Sequence, residues 1–239
     1  MYKLIFEDDF NYEGKPNPKH WNVDTGGWGF GNNESQHYTD RLKNVFVKDS
    51  LLHLVAYKED YEENKYTSGK VNTYGKMDMM YGKIEVKAKL PLGLGTWPAI
   101  WMLGNNIKQG VSWPACGEID IMEFVGQEPD KVLFSLHSQG YNHKKNNNPH
   151  VKKTFNNLGE KFQVFSMIWE PDKFEFYVDG IHQHTIERKN KTIPEDWPFQ
   201  APFYLILNLA IGGTLGGEID DSIFPVKFLI DYVKVYEKV

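Results

Sequence analysis

Between Tyr81 and Pro91 the chain reads YGKIEVKAKLP. Ile84, Val86, Ala88 and Leu90 alternate there with Lys83, Glu85, Lys87 and Lys89. A period of two puts the apolar set on one face of a strand and the charged set on the other, and it cannot make the stripe of a helix. FLIDYVKVY near the C-terminal end repeats the pattern, with Leu229, Asp231, Val233 and Val235 in step. No segment carries an apolar stripe over three helical turns. Short β-prone runs separated by Gly, Asn, Asp and Pro predict strands over 44–47, 51–57, 65–73, 81–89, 99–103, 119–125, 131–138, 163–169, 173–178, 204–210 and 228–236. A tight turn is expected at Asp179-Gly180, where glycine accepts left-handed geometry. With no Pro/Ser linker between them, these runs predict an all-β sandwich or barrel of antiparallel strands, folded as one domain over 1–239. The polar stretch 141–160 is expected to be a surface loop.

Composition narrows the partners. The formal net charge is −5 and no basic run exceeds two residues, which argues against nucleic acid. The longest apolar run, APFYLILNLA, is too short to span a bilayer, so no membrane partner is expected. MYKLIFEDDF at the N-terminus turns acidic within seven residues, and no signal peptide is expected in it. Cys116 is the single cysteine, so an intrachain disulfide is excluded, and with no base beside it in sequence it reads as inert. Seven Trp and thirteen Tyr suggest a surface that binds something flat, such as a polysaccharide. Asn33 and Asn190 each begin an N-x-S/T sequon. A monomer is the default expectation.

The chain spells GEID twice, in ACGEIDIMEFVG and in GEIDDSIFP. In the first copy, strand alternation puts Glu118 and Asp120 on one face and sends Glu123 to the other, among Ile119 and Ile121. A charge there costs several kcal/mol unless paired. One extra residue, a bulge at Ile121-Met122, returns Glu123 to the face of the other two acids. The Cα atoms of Glu118 and Glu123 are then about 13 Å apart, and two inward-leaning glutamyl arms can bring their carboxyls to about 5–5.5 Å, the separation of a retaining glycosidase. Asp120 stands between them, placed to raise the acid's pKa by like-charge repulsion. Three solvated surface acids, a calcium site, or magnesium with phosphate are the competing readings. The second copy is followed by Pro225 and has no alternating apolar partner, so it reads as a solvated loop at a cleft rim.

Aromatic residues surround the first copy. Trp97 and Trp101 lie in GLGTWPAIWMLG, Trp113 five residues before Glu118, and Trp28 in GGWGFGNNESQHY with Asn32 and Glu34. Rings flanked by Gly and Pro tend to sit on exposed loops, which favours Trp28 and Trp113 for stacking on sugar. Trp97 and Trp101 also read as core-edge residues. His137 shares its strand face with Leu133 and Ser135 and is expected to border the acids. The other histidines show no metal-ligand spacing.

FEDDF, GNNESQHYT, YGKIEVKAKLP, GTWPAIWMLG, WPACGEIDIMEFVG, YLILNLAIGG and DYVKVY occur in this order along nearly the whole chain. Together they resemble glycoside hydrolase family 16, in particular its bacterial laminarinase-like endo-β-1,3-glucanases. The resemblance implies a β-jelly-roll sandwich with a glucan-binding cleft on its concave sheet. It implies Glu118 as nucleophile, Glu123 as general acid/base and Asp120 as the assisting aspartate. Trp28, Asn32, Glu34, Trp97, Trp101, Trp113 and His137 match cleft-lining positions. No cofactor is implied for catalysis, but a structural calcium is, held by the backbone oxygens of Glu7 and Ser50 and by Asp231; Ser50 stands where glycine is usual. Lys83 and Lys87 replace the usual arginines and lose their bidentate fork. Met122 marks the bulged branch, which tilts toward laminarinase-like cleavage without excluding mixed-linkage β-1,3-1,4-glucan. A transglycosylase of the same fold and a glucan-binding module without activity are the remaining classes; intact Glu118 and Glu123 speak against the latter. A polymeric substrate implies an extracellular enzyme.

Overall fold

The computed structural model describes residues 1–189 and 196–239, so the sequon at Asn190 lies outside the described residues. The chain forms two sheets of ten and eight strands, paired antiparallel except for Gln36–Tyr38 beside Asn64–Ser68. In the eight-stranded sheet the order is His150–Thr154, Lys131–His137, Glu118–Glu123, Thr96–Gly104, Phe203–Ile211, Lys70–Asn72 and Asn22–Val23, with Asp78–Met79 on Phe203–Ile211. At the centre of the other sheet Gly82–Lys89 lies between Gln163–Glu170 and Val226–Lys238. This is the two-sheet antiparallel sandwich that the alternation allowed, with the jelly-roll architecture that the family resemblance implied.

The core lies between the sheets because each strand turns its apolar positions inward. Ile84, Val86 and Ala88 meet Phe165 and Met167 from one layer, against Ile100, Met102, Phe134 and Leu207 from the other. Burying such side chains contributes roughly 25 cal/mol per Å² of apolar surface, which makes this seam the main source of stability.

The run 65–73 is not one strand. It breaks at Gly69 into Asn64–Ser68, in the ten-stranded layer, and Lys70–Asn72, in the other. The crossing is tight: a Cβ on Gly69 would stand 2.7 Å from Val45 and 2.8 Å from the Asn44 carbonyl oxygen. It is also clamped, since Ser68 Oγ donates to the Leu209 carbonyl at 2.6 Å and Leu209 N–H to the Gly69 carbonyl at 3.2 Å. The stretch 141–160 is likewise more than a loop, because His150–Thr154 is the edge strand of the eight-stranded sheet.

The expected irregularity is present. Ala99 faces Glu123 and Ile100 faces Met122, but the next pair is Trp101 with Asp120, leaving Ile121 without a partner. Toward the other neighbour the register slips over the same span, between Asp120↔Ser135 and Glu123↔Leu133. Ile121 and Met122 both enter the core. Truncating Ile121 to alanine should therefore cost about 2–5 kcal/mol. The same change at the half-exposed Ile5 should stay within about 0.5 kcal/mol. Urea titration of the two variants measures the difference.

Candidate active site

Pairing fixes which side chains share the open face of the eight-stranded sheet. Ile100 and Met102 point into the core, so Trp97, Ala99, Trp101 and Leu103 point out. Leu103 is opposite Glu118, Trp101 opposite Asp120, and Ala99 opposite Glu123, which places all three acids on the outer face. On the other side, Glu118 is opposite His137, Asp120 opposite Ser135 and Glu123 opposite Leu133, as the alternation of that strand predicted.

The hydrogen bonds differ from acid to acid. Glu118 accepts from Trp113 Nε1 at 2.9 Å, and its other oxygen lies 3.6 Å from His137 Nε2. Asp120 is buried, accepts from Ser135 Oγ, and pairs with His137 Nε2 at 3.2 Å. Glu123 accepts from Trp97 Nε1 at 3.1 Å. Burial, then Asp120, push the Glu118 carboxyl up, opposed by His137 and Trp113. Burial, then Asp120 and Glu118, push Glu123 well above the usual range, with His137 and one indole N–H opposing. Burial acts to lower the pKa of His137, but Glu118 and Asp120 outweigh it and raise the ring to about 9. In its protonated form His137 is a cation set among three acids. Of the two glutamates, Glu123 has no ion-pair distance to this cation, so it is the better holder of a proton.

The tryptophans take several roles. Trp97 is buried, with its N–H committed to Glu123; Trp101 is half-buried and donates to Asn208 Oδ1 at 2.7 Å. The ring of Trp113 is flanked by His143 at 5.0 Å and by Lys144 Nζ at 4.9 Å, which hold it where its N–H reaches Glu118. Trp28 is 71% exposed and packs on Phe30, with ring centroids 4.1 Å apart. The carboxylate of Glu34 accepts from Gln36 Nε2 at 2.6 Å and Tyr38 OH at 3.3 Å, and burial raises its pKa. The Asn32 carbonyl holds Thr214 at 2.7 Å on the neighbouring turn.

Several partners escaped the sequence reading. Asn208 Nδ2 donates to Tyr38 OH at 2.9 Å, so Glu34, Tyr38, Asn208 and Trp101 form one connected chain. Its signal was a single amide inside the apolar APFYLILNLA. Lys70 lies 4.8 Å from the Phe30 ring and 5.4 Å from that of Trp101, with Asp24 at 3.7 Å. The later GEID copy is a loop, as expected: Asp221 pairs with Lys58 at 2.6 Å and Asp220 caps Ser222 N–H.

Among the described residues, Glu118, Asp120 and His137 form the one cluster whose potential ligand atoms lie within 4.8 Å of one another. A metal there would need the neutral form of His137, because an imidazolium has no lone pair to offer. Glu7, Ser50 and Asp231 lie on the opposite layer, away from this face.

Known proteins share this fold. The family described as "Glycosyl hydrolases family 16" matches residues 32–234. The "Beta-glucanase" of Rhodothermus marinus is 40% identical over 98% of this chain and 85% of its own length. The laminarinase structure from the same organism superposes with a TM-score of 0.96 at 39% identity, covering 100% of this chain and 98% of the other. SCLam, described as a non-specific endo-β-1,3(4)-glucanase, superposes with a TM-score of 0.93 at 40% identity over 100% and 92% of the two chains. Its strand register, its acidic triad and these likenesses agree: the chain belongs to glycosyl hydrolase family 16.

Proposed function

We infer that this protein is a retaining endo-β-1,3-glucanase that cleaves internal β-1,3-glucosidic bonds of laminarin-type glucans by double displacement. The observation that carries the reading is the slip at Ile121, which sets Glu118 and Glu123 on one open face with Asp120 between them. Glu118 attacks the anomeric carbon while the proton of Glu123 passes to the departing glycosidic oxygen. Glu123, now a carboxylate, takes a proton from the water that attacks the glycosyl-enzyme bond. Two inversions give net retention. Burial raises both carboxyls, but Trp113 and His137 oppose it at Glu118, whereas Glu123 receives only the Trp97 N–H and lies at no ion-pair distance from His137. Additional cleavage of mixed-linkage β-1,3-1,4-glucan is supported by the likeness to SCLam, a non-specific enzyme by its description.

The enzyme works as a monomer outside the cell, where a polymer of this size is met. Among the described residues no helix is long and apolar enough to cross a membrane. It also carries a structural calcium. Asp231 stands where the pairing with Gly82–Lys89 slips, between Ile230 and Tyr232, and Ser50 adopts a left-handed φ of 57° in the preceding turn. The carbonyls of Glu7 and Ser50 with the Asp231 carboxylate are an all-oxygen set that suits a hard cation. Lys87, 2.8 Å from Asp231, would have to swing aside for the cation to enter.

Glu118→Ser should abolish hydrolysis yet leave glucan binding in affinity electrophoresis, and azide should rescue it as the α-glycosyl azide. The β-azide would remove Glu118 from the nucleophile role. Activity should fall in acid as Glu118 takes up a proton, and in alkali as Glu123 loses its own. His137→Gln removes a cation that lowers the Glu118 pKa, so the acid limb of kcat should move to higher pH by about one unit. An unmoved limb would assign His137 elsewhere. A chelator should lower Tm by about 4 °C, roughly 2 kcal/mol for a domain of this size, and Asp231→Asn should erase the calcium dependence. Equal Tm with and without calcium would refute that site.

A further inference from the structure

Gln127 holds the second GEID segment from the side of the catalytic strand. It stands four residues past Glu123, beyond the end of strand Glu118–Glu123, and is half-buried. Its Nε2 donates to the Gly216 carbonyl and, at 3.3 Å, to the Glu218 carbonyl. The fit is close: Gly217 has a φ of +65°, and a Cβ there would stand 2.5 Å from Gln127 Nε2. Glycine opens this copy of the motif because the main chain passes directly over the amide. At its far end the segment is fastened to the other layer, where Asp221 accepts from Lys58 Nζ at 2.6 Å and from the Tyr66 hydroxyl at 2.8 Å.

What the segment covers is Trp97. Leu215 packs on the small cluster of Trp97, Val125 and Ala210. Gly216 lies against the same residue, since a Cβ on it would stand 3.4 Å from Trp97 Cβ and 3.8 Å from a ring carbon. The chain leading to Trp97 is held as well: Asp220 N–H donates to the Leu94 carbonyl at 3.1 Å, and Gly212 N–H to that of Gly95 at 2.8 Å. Among the described residues Trp97 Nε1 is the one donor to the Glu123 carboxyl, at 3.1 Å. The charges around that carboxyl come from other elements. Glu118 and Asp120 lie on its own strand and His137 on the next, while Glu128, Lys131 and Lys152 line a hollow shared with Glu123. Strand Thr96–Gly104 and the turn 213–216 carry no charged side chain, so the indole N–H is what this side offers the acid.

We propose that Gln127 is a positioning residue for the acid/base: its amide clamps the second GEID segment over Trp97 and so keeps the indole N–H on Glu123. This rests on the assignment of Glu123 as general acid. With Asp221 holding the far end and Gln127 the near one, the turn 213–216 cannot lift from the indole without breaking one of the two anchors. A hydrogen bond weakens steeply as its angle closes, so a small roll of the ring is enough to loosen its hold on the carboxyl. Without that donor the Glu123 carboxylate is less favoured, and the acid keeps its proton to higher pH.

The test follows kcat on laminarin against pH for three variants of the full chain. Gln127→Met keeps the length and bulk of the side chain but has no N–H; Trp97→Phe removes the indole donor; the third combines the two. Trp97→Phe should move the alkaline limb up by about one pH unit and Gln127→Met by about half a unit, with the acid limb in place. A merely structural defect would lower kcat at every pH and move neither limb. The double variant should move no further than Trp97→Phe, because both changes act on one hydrogen bond. Gln127→Asn, whose shorter amide falls back from the two carbonyls, serves for the same comparison if the methionine variant does not fold. A limb that Trp97→Phe moves and the Gln127 variants do not, or shifts that add in the double variant, would overturn the proposal. A limb that Trp97→Phe leaves in place would remove Glu123 from the acid role first, and the proposal with it.

Discussion

Two consecutive side chains, Ile121 and Met122, both lie in the hydrophobic core, and a regular strand cannot bury neighbours on the same side. The sheet yields by leaving Ile121 unpaired. A bulge disrupts the ladder locally, but the alternative would drive the carboxyl of Glu123 into a layer of aliphatic and aromatic side chains. The burial of two apolar residues and the exposure of one acid are thus one event. Every feature of the open face, from the partners of Asp120 to the indole over Glu123, inherits its place from it.

Three acids on six residues of one strand would repel one another if nothing answered them. His137 answers from the adjacent strand, close to Glu118 and Asp120 but beyond ion-pair reach of Glu123. This asymmetry, more than any difference between two chemically identical glutamates, divides their work. Trp113 and Trp97 each give one indole N–H to one glutamate, so the cation breaks the tie. Asp120, with Ser135 behind it, holds the cation where it is useful.

Much of this was legible before any coordinates. Strands with one buried face, such as Gly82–Lys89, announce themselves by alternation, and the bulge followed from refusing to bury Glu123. What stayed hidden has physical reasons. Tyr2–Asp8 is exposed over its first four residues and His150–Thr154 has a single apolar side chain, Val151, so no apolar rhythm marks either. The split at Gly69 is decided by which layer each half joins, a matter of distant partners and not of local preference. Lys70 and Asn208 act through residues remote in sequence, and neither sits in a motif. Trp113 and Trp97 were read as sugar-stacking and core-edge candidates, whereas their N–H groups turn out to orient the acids.

The passage at Gly69 joins the two layers by the main chain itself, directly behind the floor that carries Lys70, and Leu209 pins it on both sides. Bending the floor would drag the outer layer along. The open face is thus stiffened by the covalent chain itself, and a displacement of Lys70 has to be shared between both layers.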